Sequence, residues 1–137
     1  MPTMDVTLEQ GALSDEAKSA LVGQLSAMLG ELEDGPATRR PVTWCFVDER
    51  PRVMGMPTER PVYRIALTVS GATTRQRLVE RVTELVLSAE GTPVTPAEAG
   101  RVHVEVRDVH EGFLDAWGEV LRMNDMPACT APRAAGA

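Results

Sequence analysis

An internal repeat of roughly sixty residues is the feature that most limits how this chain can fold. The segment 41–48 matches 101–108, and the segment 2–8 matches 61–67. After each opening segment, the sequence continues with a glycine turn and a stretch of helical periodicity. Because strand, turn, helix and second strand recur in the same order, the sequence predicts two copies of one β-α-β unit.

The chain of 137 residues has the length of one domain. We expect a single domain over residues 1–123, built from repeat one (2–60) and repeat two (61–123). The residues that follow, 124–137, are rich in proline and alanine and are expected to form a flexible tail. A domain of this length buries enough surface to fold without a metal or a disulfide.

Two helices are predicted, from about Ser14 to Glu31 and from about Thr74 to Glu90. Ser14 is a favourable N-cap, and Gly91 is a favourable C-terminal stop. Apolar residues at helical spacing give each helix one apolar face: Leu21, Val22, Leu25, Met28, Leu29 and Leu32 in the first, and Leu78, Val79, Val82, Leu85, Val86 and Ala89 in the second.

The predicted strands alternate apolar and polar side chains with a period of two. One face of the sheet is expected to carry Met4, Val6 and Leu8, with Tyr63, Ile65, Leu67 and Val69, and with Val102, Val104 and Val106. The predicted fold class is therefore α+β, with two fused β-α-β repeats forming a four-stranded mixed sheet and two helices on one face.

Alignment of the two repeats places Trp44 and Phe46 in line with Val104 and Val106, which predicts that both aromatic residues lie in the core under the helices. The second face of the sheet, turned away from the helices, is then expected to carry Thr43, Cys45, Val47, Arg101, His103, Glu105 and Arg107. This mixed face is too large and too apolar to be only solvated. We therefore expect it to pack against other subunits.

Composition and charge exclude several classes of function. The chain has 14 basic and 20 acidic residues, a net charge of −6 and 4% aromatic residues, which argues against binding nucleic acid. There is no apolar run as long as a membrane span and no pattern of a secretory signal at the N-terminus, so we expect a cytoplasmic protein with no membrane partner. The two cysteines and two histidines lack the spacing of a zinc site, so neither a metal nor a cofactor is expected.

A set of residues in fixed order carries a resemblance to a known family: Pro2, the runs 11–18, 67–71 and 102–106, and the pairs Glu111-Gly112 and Trp117-Gly118. Together with the duplicated unit, this set resembles the tautomerase superfamily over about residues 2–123. The similar members are its two-repeat proteins: malonate semialdehyde decarboxylase, cis-3-chloroacrylic acid dehalogenase and fused 4-oxalocrotonate tautomerase-like proteins. The resemblance implies a trimer, here a homotrimer, whose active sites centre on an N-terminal proline exposed by loss of the initiator Met.

The chemistry of Pro2 supports this expectation independently. A free N-terminal proline is a secondary amine, and a free amino terminus has a pKa near 8. An apolar pocket or a nearby cation lowers that pKa towards neutrality, where a general base works best. Removal of Met1 is a strict condition, because the Pro2 nitrogen is otherwise an amide without a usable lone pair.

The sequence also departs from the family pattern. The turn arginine of 4-oxalocrotonate tautomerase is replaced by Ala12, or by Ala72 in the second repeat, and its strand arginine is replaced by Thr43 or His103. These replacements put high activity on a dicarboxylate in doubt.

The dehalogenase pattern is incomplete as well. Its two arginines fall at Val69 and Ala72, its acidic residue near Ala116 and its tyrosine at Glu105. Dehalogenation or hydration by that mechanism is therefore not expected.

Four polar residues are candidates for binding an anionic or carbonyl substrate. Arg75 follows the second turn and lies in the first turn of a helix, where backbone N–H groups also favour anions. A solvated helix residue without a binding role is the alternative. Arg64 lies on the opening strand of repeat two, and a structural ion pair with Asp5 is the alternative. His103 and Glu105 are polar in mid-strand, and an interface pair with Arg101 or Arg107 is the alternative.

The resemblance also implies an apolar wall beside the proline, which lowers the amine pKa. Met54 and Trp117 match the place of the aromatic-glycine pair of 4-oxalocrotonate tautomerase, and Phe113 lies close to Trp117 in the sequence. Interface packing is the alternative role for these residues.

Three functions follow from these observations. The first is a tautomerase that uses Pro2 as general base on a 2-oxo acid or a related carbonyl compound. The second keeps Pro2 but assigns it to decarboxylation, hydration or a natural-product step. The third is a binding or assembly module that has lost catalysis, as Ala12 and Thr43 indicate.

Overall fold

The computed structural model describes residues 3–32, 44–52, 59–69, 75–108, 114–116 and 119–121. In chain order, its elements are β1 (Thr3–Glu9), α1 (Asp15–Leu32), β2 (Trp44–Arg50), β3 (Tyr63–Val69), α2 (Arg75–Glu90), α3 (Pro96–Ala99), β4 (Val102–Asp108), β5 (Leu114–Ala116) and β6 (Glu119–Leu121). The short helix α3 and the antiparallel pair of β5 with β6 were not predicted from the sequence. The predicted tail, 124–137, lies outside the described residues.

The main sheet has four strands in the order β2-β1-β3-β4. β1 pairs parallel with β2, β3 pairs parallel with β4, and the two central strands, β1 and β3, pair antiparallel. The β-α-β arrangement therefore occurs twice, and the predicted four-stranded mixed sheet is confirmed. A helix connects each parallel pair, as parallel strands require a crossover.

Both main helices begin and end within one residue of the bounds predicted from the sequence. The Ser14 hydroxyl accepts a hydrogen bond from the Ala17 backbone N–H at 3.1 Å, which caps α1. At the end of α2, Gly91 has a φ of 81°, a conformation that side-chain-bearing residues rarely adopt. Ser14 thus sets the start of α1, and Gly91 sets the end of α2.

The core lies between the two helices and one face of the sheet. Its strand residues are those predicted from the alternation: Met4, Val6, Leu8, Tyr63, Ile65, Leu67, Val69 and Val102, with Val104 and Val106 partly buried. Its helix residues are Leu21, Leu25, Met28, Leu29, Leu78, Val82, Val86 and Leu87. Leu87 was not on the predicted apolar face, and its burial widens that face of α2. Each such side chain contributes about 1.5–3 kcal/mol on burial.

The prediction that Trp44 and Phe46 lie in the core is wrong. Their exposed fractions are 44% and 54%, whereas Cys45 packs partly buried against the core. The register pairs Met4 with Cys45 and Asp5 with Phe46. The repeat alignment is therefore displaced by one residue in β2, and such a slip exchanges the two faces of a strand.

The placement of Arg101 on the second face is also wrong. Arg101 precedes β4 and its side chain is only 5% exposed. Its guanidinium donates to the Pro61 carbonyl at 2.7 Å, to Glu90 at 2.6 and 2.8 Å, and to Glu98 of α3. These acceptors satisfy a buried cation whose desolvation is otherwise costly.

Glu90, the main partner of Arg101, is fully engaged at the end of α2. It also accepts hydrogen bonds from the Tyr63 hydroxyl at 2.6 Å and from Arg60 at 3.0 Å. The hydrogen bond from Arg101 is the main cause that lowers the pKa of Glu90 to about 2. The same contacts raise the pKa of Arg101, and burial together with the bond to Glu90 raises the pKa of Tyr63. This cluster ties α2 and α3 to the starts of β3 and β4.

The Arg101→Met variant is expected to lose about 3 kcal/mol of unfolding free energy, because it leaves the Glu90 carboxylate without its main partner. Arg60 and Tyr63 still contact Glu90, which limits the loss. Denaturant unfolding at pH 7 measures the difference. The matched control is Arg81→Met, which removes an exposed pair with Glu84 and is expected to cost less than about 1 kcal/mol.

The same variant has a predictable pH dependence. The pKa of Glu90 is about 2 in the folded chain against an ordinary 4.5, so the unfolded state binds more protons between these values. The stabilisation is therefore complete above pH 4.5 and is lost as the pH falls towards 2. The stability gap between wild type and Arg101→Met is expected to close over that range. A gap that stays constant contradicts the assigned role of the ion pair.

Candidate functional site

The second face of the sheet carries the polar and aromatic residues that the core excludes. Three rows of in-register side chains cross it: Trp44, Thr3, Thr68 and Arg107 in the first row, Phe46, Asp5, Ala66 and Glu105 in the second, and Asp48, Thr7, Arg64 and His103 in the third. The first row lies at the start of β1, directly after Pro2 in the sequence. Trp44 and Phe46 contact each other edge to face, with ring centroids 6.3 Å apart.

A bridging carboxylate organises the charges of this face. Glu105 accepts a hydrogen bond from Arg64 Nη2 at 2.9 Å and another from Arg107 Nε at 3.0 Å. These two bonds, the one from Arg107 being the larger cause, lower the pKa of Glu105 to about 2. The Glu105 carboxylate in turn raises the pKa of Arg107, with a smaller contribution from Asp5.

A shallow depression of about 240 Å³ lies on this face. It is lined by Asp5, Val6, Thr7, Phe46, Asp48, Arg64, Ala66 and Arg107. Its two acidic and two basic side chains balance in charge, and its volume is below the ~300–1,000 Å³ of most small-molecule sites. The described residues of one chain therefore form an open depression here rather than an enclosed pocket.

The structure brings three of the predicted site residues together. Arg64, His103 and Glu105 all lie on the second face, in neighbouring rows of β3 and β4. The ion-pair partner of Arg64 is Glu105. Asp5, the alternative partner considered from the sequence, lies in the second row beside Ala66.

The fourth polar candidate, Arg75, lies apart from this group. It begins α2 and is exposed, and it follows the end of β3 in the chain. The register of β3 with β1 places Thr68 beside Thr3, so the end of β3 lies at the start of β1. Arg75 and the first row therefore belong to the same end of the sheet. Pro2, Met54, Phe113 and Trp117 lie outside the described residues.

Sequence reasoning misplaced the aromatic pair. It put Arg107 on the second face, because Val102, Val104 and Val106 predicted the core face, but it did not predict that Arg107 is level with the start of β1. The exposed position of Trp44 had no comparable signal, since it depends on the pairing of β2 with β1.

The described residues hold no group of three metal-ligating side chains. Among the same residues, no helix combines the length and apolar character needed to cross a bilayer.

The chain matches solved structures in fold, although no protein-family model and no curated protein matches its sequence. The R7 fused 4-OT protein, an asymmetric trimer, is 21% identical with a TM-score of 0.63, over 86% of this chain and 94% of that one. Pt0534, in a structure inactivated by 2-oxo-3-pentynoate, is 16% identical with a TM-score of 0.68, over 91% and 99%. N1, a member of the cis-3-chloroacrylic acid dehalogenase family, is 17% identical with a TM-score of 0.65, over 87% and 82%.

The β-α-β duplication, the mixed sheet and these matches define the fold of this chain. It is the fold of the fused 4-OT proteins, Pt0534 and N1, and the fold that the resemblance to the tautomerase superfamily predicted.

The assigned charge network predicts an unusual titration for Glu105. In the wild type its carboxyl is expected to titrate with a midpoint of about 2, observed at the side-chain carboxyl carbon by NMR. Arg107→Gln is expected to move the midpoint closer to 4.5 than Arg64→Gln does, because the Arg107 hydrogen bond is the larger cause. A wild-type midpoint near 4.5, or the reverse order of the two variants, contradicts the bridging geometry.

Proposed function

We propose that this protein is a tautomerase-like isomerase in which Pro2 is the general base for keto-enol tautomerisation of a 2-oxo acid or a related carbonyl compound. The observation that carries the proposal is the tautomerase fold with a proline directly before its first central strand. β1 lies between β2 and β3, so the residue that follows Pro2 is held by pairing on both sides. Such a position favours a fixed general base.

The proposed reaction needs no co-reactant. In ketonisation, the Pro2 amine removes the proton of the enol oxygen, the C–O bond becomes a carbonyl, and a proton is delivered to the neighbouring carbon. The base is thereby regenerated. Loss of Met1 frees the amine, and its pKa near 8 falls when an apolar surface disfavours its protonated form. Trp44, 44% exposed and in register with Thr3, offers such a surface beside the start of β1.

The proposed binding residues are those predicted from the sequence. Arg75 attracts a carboxylate at the N-terminus of α2, whose first turn has no acidic residue. Arg64, His103 and Glu105 supply polar groups on the second face.

Met54 and Trp117 are proposed to supply the apolar wall beside the proline. With Trp44, they would disfavour the protonated amine. No metal or cofactor takes part in this proposal, and the partner is a small carbonyl compound.

We further propose that the protein assembles as a homotrimer through the second face. The R7, F6 and Q0 fused 4-OT proteins, which share this fold, are trimers. Two large aromatic side chains, Trp44 and Phe46, lie exposed on this face. A shallow depression on one chain also requires a neighbour to enclose a substrate.

Two alternatives remain distinct from this proposal. A proline-dependent decarboxylase or hydratase keeps the fold and Pro2 but acts on other substrates, and a substrate panel separates it. A non-catalytic binding or assembly module is favoured by Ala12, which follows Gly11 in the first turn where the family carries an arginine. That module predicts no proline-dependent turnover.

The Pro2→Ala variant is expected to remain folded and to lose at least about a hundredfold in the ketonisation rate of phenylenolpyruvate, the scale for losing a general base. Intact mass must first show that Met1 is absent. The wild type is also expected to form a one-to-one adduct with 2-oxo-3-pentynoate at Pro2, by conjugate addition of the amine to the alkyne. Equal turnover in the folded variant removes Pro2 from the mechanism.

The assembly proposal predicts that Phe46→Ser converts a trimer into a monomer, because it removes an exposed aromatic contact from the middle row of the second face. Sedimentation velocity measures the change. Val94→Ser is the matched control, since Val94 is 55% exposed, much like Phe46 at 54%, but lies outside the sheet. A monomeric wild type, or equal effects of the two substitutions, argues against the second face as the interface.

A further inference from the structure

We propose that Arg107 binds the carboxylate of the substrate and thereby replaces the arginines that the family carries in the turn after the first strand. The inference deepens the proposed function and rests on it, since it places the substrate beside the start of β1. It is drawn from the register of the sheet and the charges of the three rows on the second face.

Arg107 lies in the same row as Thr3, the first residue of β1. Thr3 pairs with Thr68, and Thr68 pairs with Arg107. Neighbouring strands lie about 4.8 Å apart, so Arg107 is two strand spacings from Thr3. An arginine side chain with a bound carboxylate covers much of that distance, which leaves the carbonyl end of a small acid close to the start of β1.

The charge distribution selects the first row among the three. The second row carries Asp5 and Glu105, and the third carries Asp48. The first row, as described, holds Arg107 as its charged residue and has no acidic side chain. An anion is therefore repelled least, and attracted most directly, at this row.

The hydrogen bonding of Arg107 leaves the right donors for a carboxylate. Glu105 accepts from Nε at 3.0 Å, and it is the hydrogen-bond partner of Arg107 among the described residues. Both Nη groups thus remain to donate to an incoming anion, and the Glu105 contact orients the guanidinium in advance. The side chain is 54% exposed, so a substrate reaches it from solvent or from the boundary with a neighbouring subunit.

The other arginine bound to Glu105 is less well placed. Arg64 lies in the third row, four residues from the first row along the strands, which is about 13 Å. Its Nη2 atom is engaged by Glu105. The distance and the occupied donor both favour Arg107 as the carboxylate-binding residue.

The test compares a substrate that has a carboxylate with one that lacks it. Arg107→Gln is expected to raise KM for phenylenolpyruvate by about 10- to 100-fold, the range for losing a hydrogen bond to a charged group, with little change in kcat. For the enol of phenylacetaldehyde, which has no carboxylate, kcat/KM is expected to stay unchanged. Arg107→Lys keeps the positive charge and is expected to restore part of the loss.

Arg50→Gln is the matched control. Arg50 lies on the other edge strand and also donates from Nε to the carboxylate two residues earlier, Asp48, at 2.8 Å. In the parallel ladder, Arg50 is in register with Glu9, which lies at the end of β1 opposite to Thr3. Its replacement removes an equivalent ion pair far from the first row and is expected to leave KM unchanged.

The outcomes separate this inference from the proposed function. If Arg107→Gln lowers kcat/KM equally for both enols, or leaves KM for phenylenolpyruvate unchanged, the role of Arg107 is overturned. Proline-dependent turnover by the wild type is unaffected by either result. If the wild type shows no turnover, calorimetric binding of phenylpyruvate decides: binding that weakens in Arg107→Gln but not in Arg50→Gln supports the anion site, and equal binding overturns it. If Arg107→Gln does not fold, the same measurements on Arg107→Lys decide.

Discussion

The antiparallel ladder between β1 and β3 is the constraint on which the rest of the structure depends. Each β-α-β unit has a helix that covers only one face of its two strands. The ladder joins the units so that Met4 lies beside Leu67 and Val6 beside Ile65, which gives both helices one common core. Because side chains alternate across a strand, the same register sends Asp5, Thr7 and Arg64 to the second face.

Burial gives the two main charge clusters different physical roles. Arg101 is 5% exposed, and its carboxylate and carbonyl acceptors offset a large desolvation cost, so the cluster acts on stability. Glu105, Arg64 and Arg107 are exposed or half-buried, and ion pairs in such surroundings add little to stability. Their effect is to hold two guanidinium groups in defined positions on the second face. The first cluster lies near the start of β3, and the first row of the second face lies near its end.

The strand directions explain why the proposed site forms at one end of the sheet. β3 runs against β1, so its last residues, which lead into α2 and Arg75, lie beside the first residues of β1. β4 runs parallel to β3, so Arg107, near its end, reaches the same level. Topology thus gathers the residue after Pro2, an exposed tryptophan and two cations from four separate elements: β1, β2, α2 and β4. Both cations belong to repeat two, whereas Thr3 and Trp44 belong to repeat one.

The sequence by itself determined the duplicated β-α-β unit, the helix ends at Ser14 and Gly91, and the core faces of β1, β3 and β4, because caps and periodicity are local properties of the chain. It also singled out Pro2 and placed His103 and Glu105 on one face. Only the tertiary structure decided that Trp44 and Phe46 are exposed, that Arg101 is buried and that Glu105 bridges Arg64 and Arg107. Those facts depend on pairing between distant strands. A shift of one residue in that pairing exchanges the faces of a strand, and repeat alignment alone does not resolve a shift of that size.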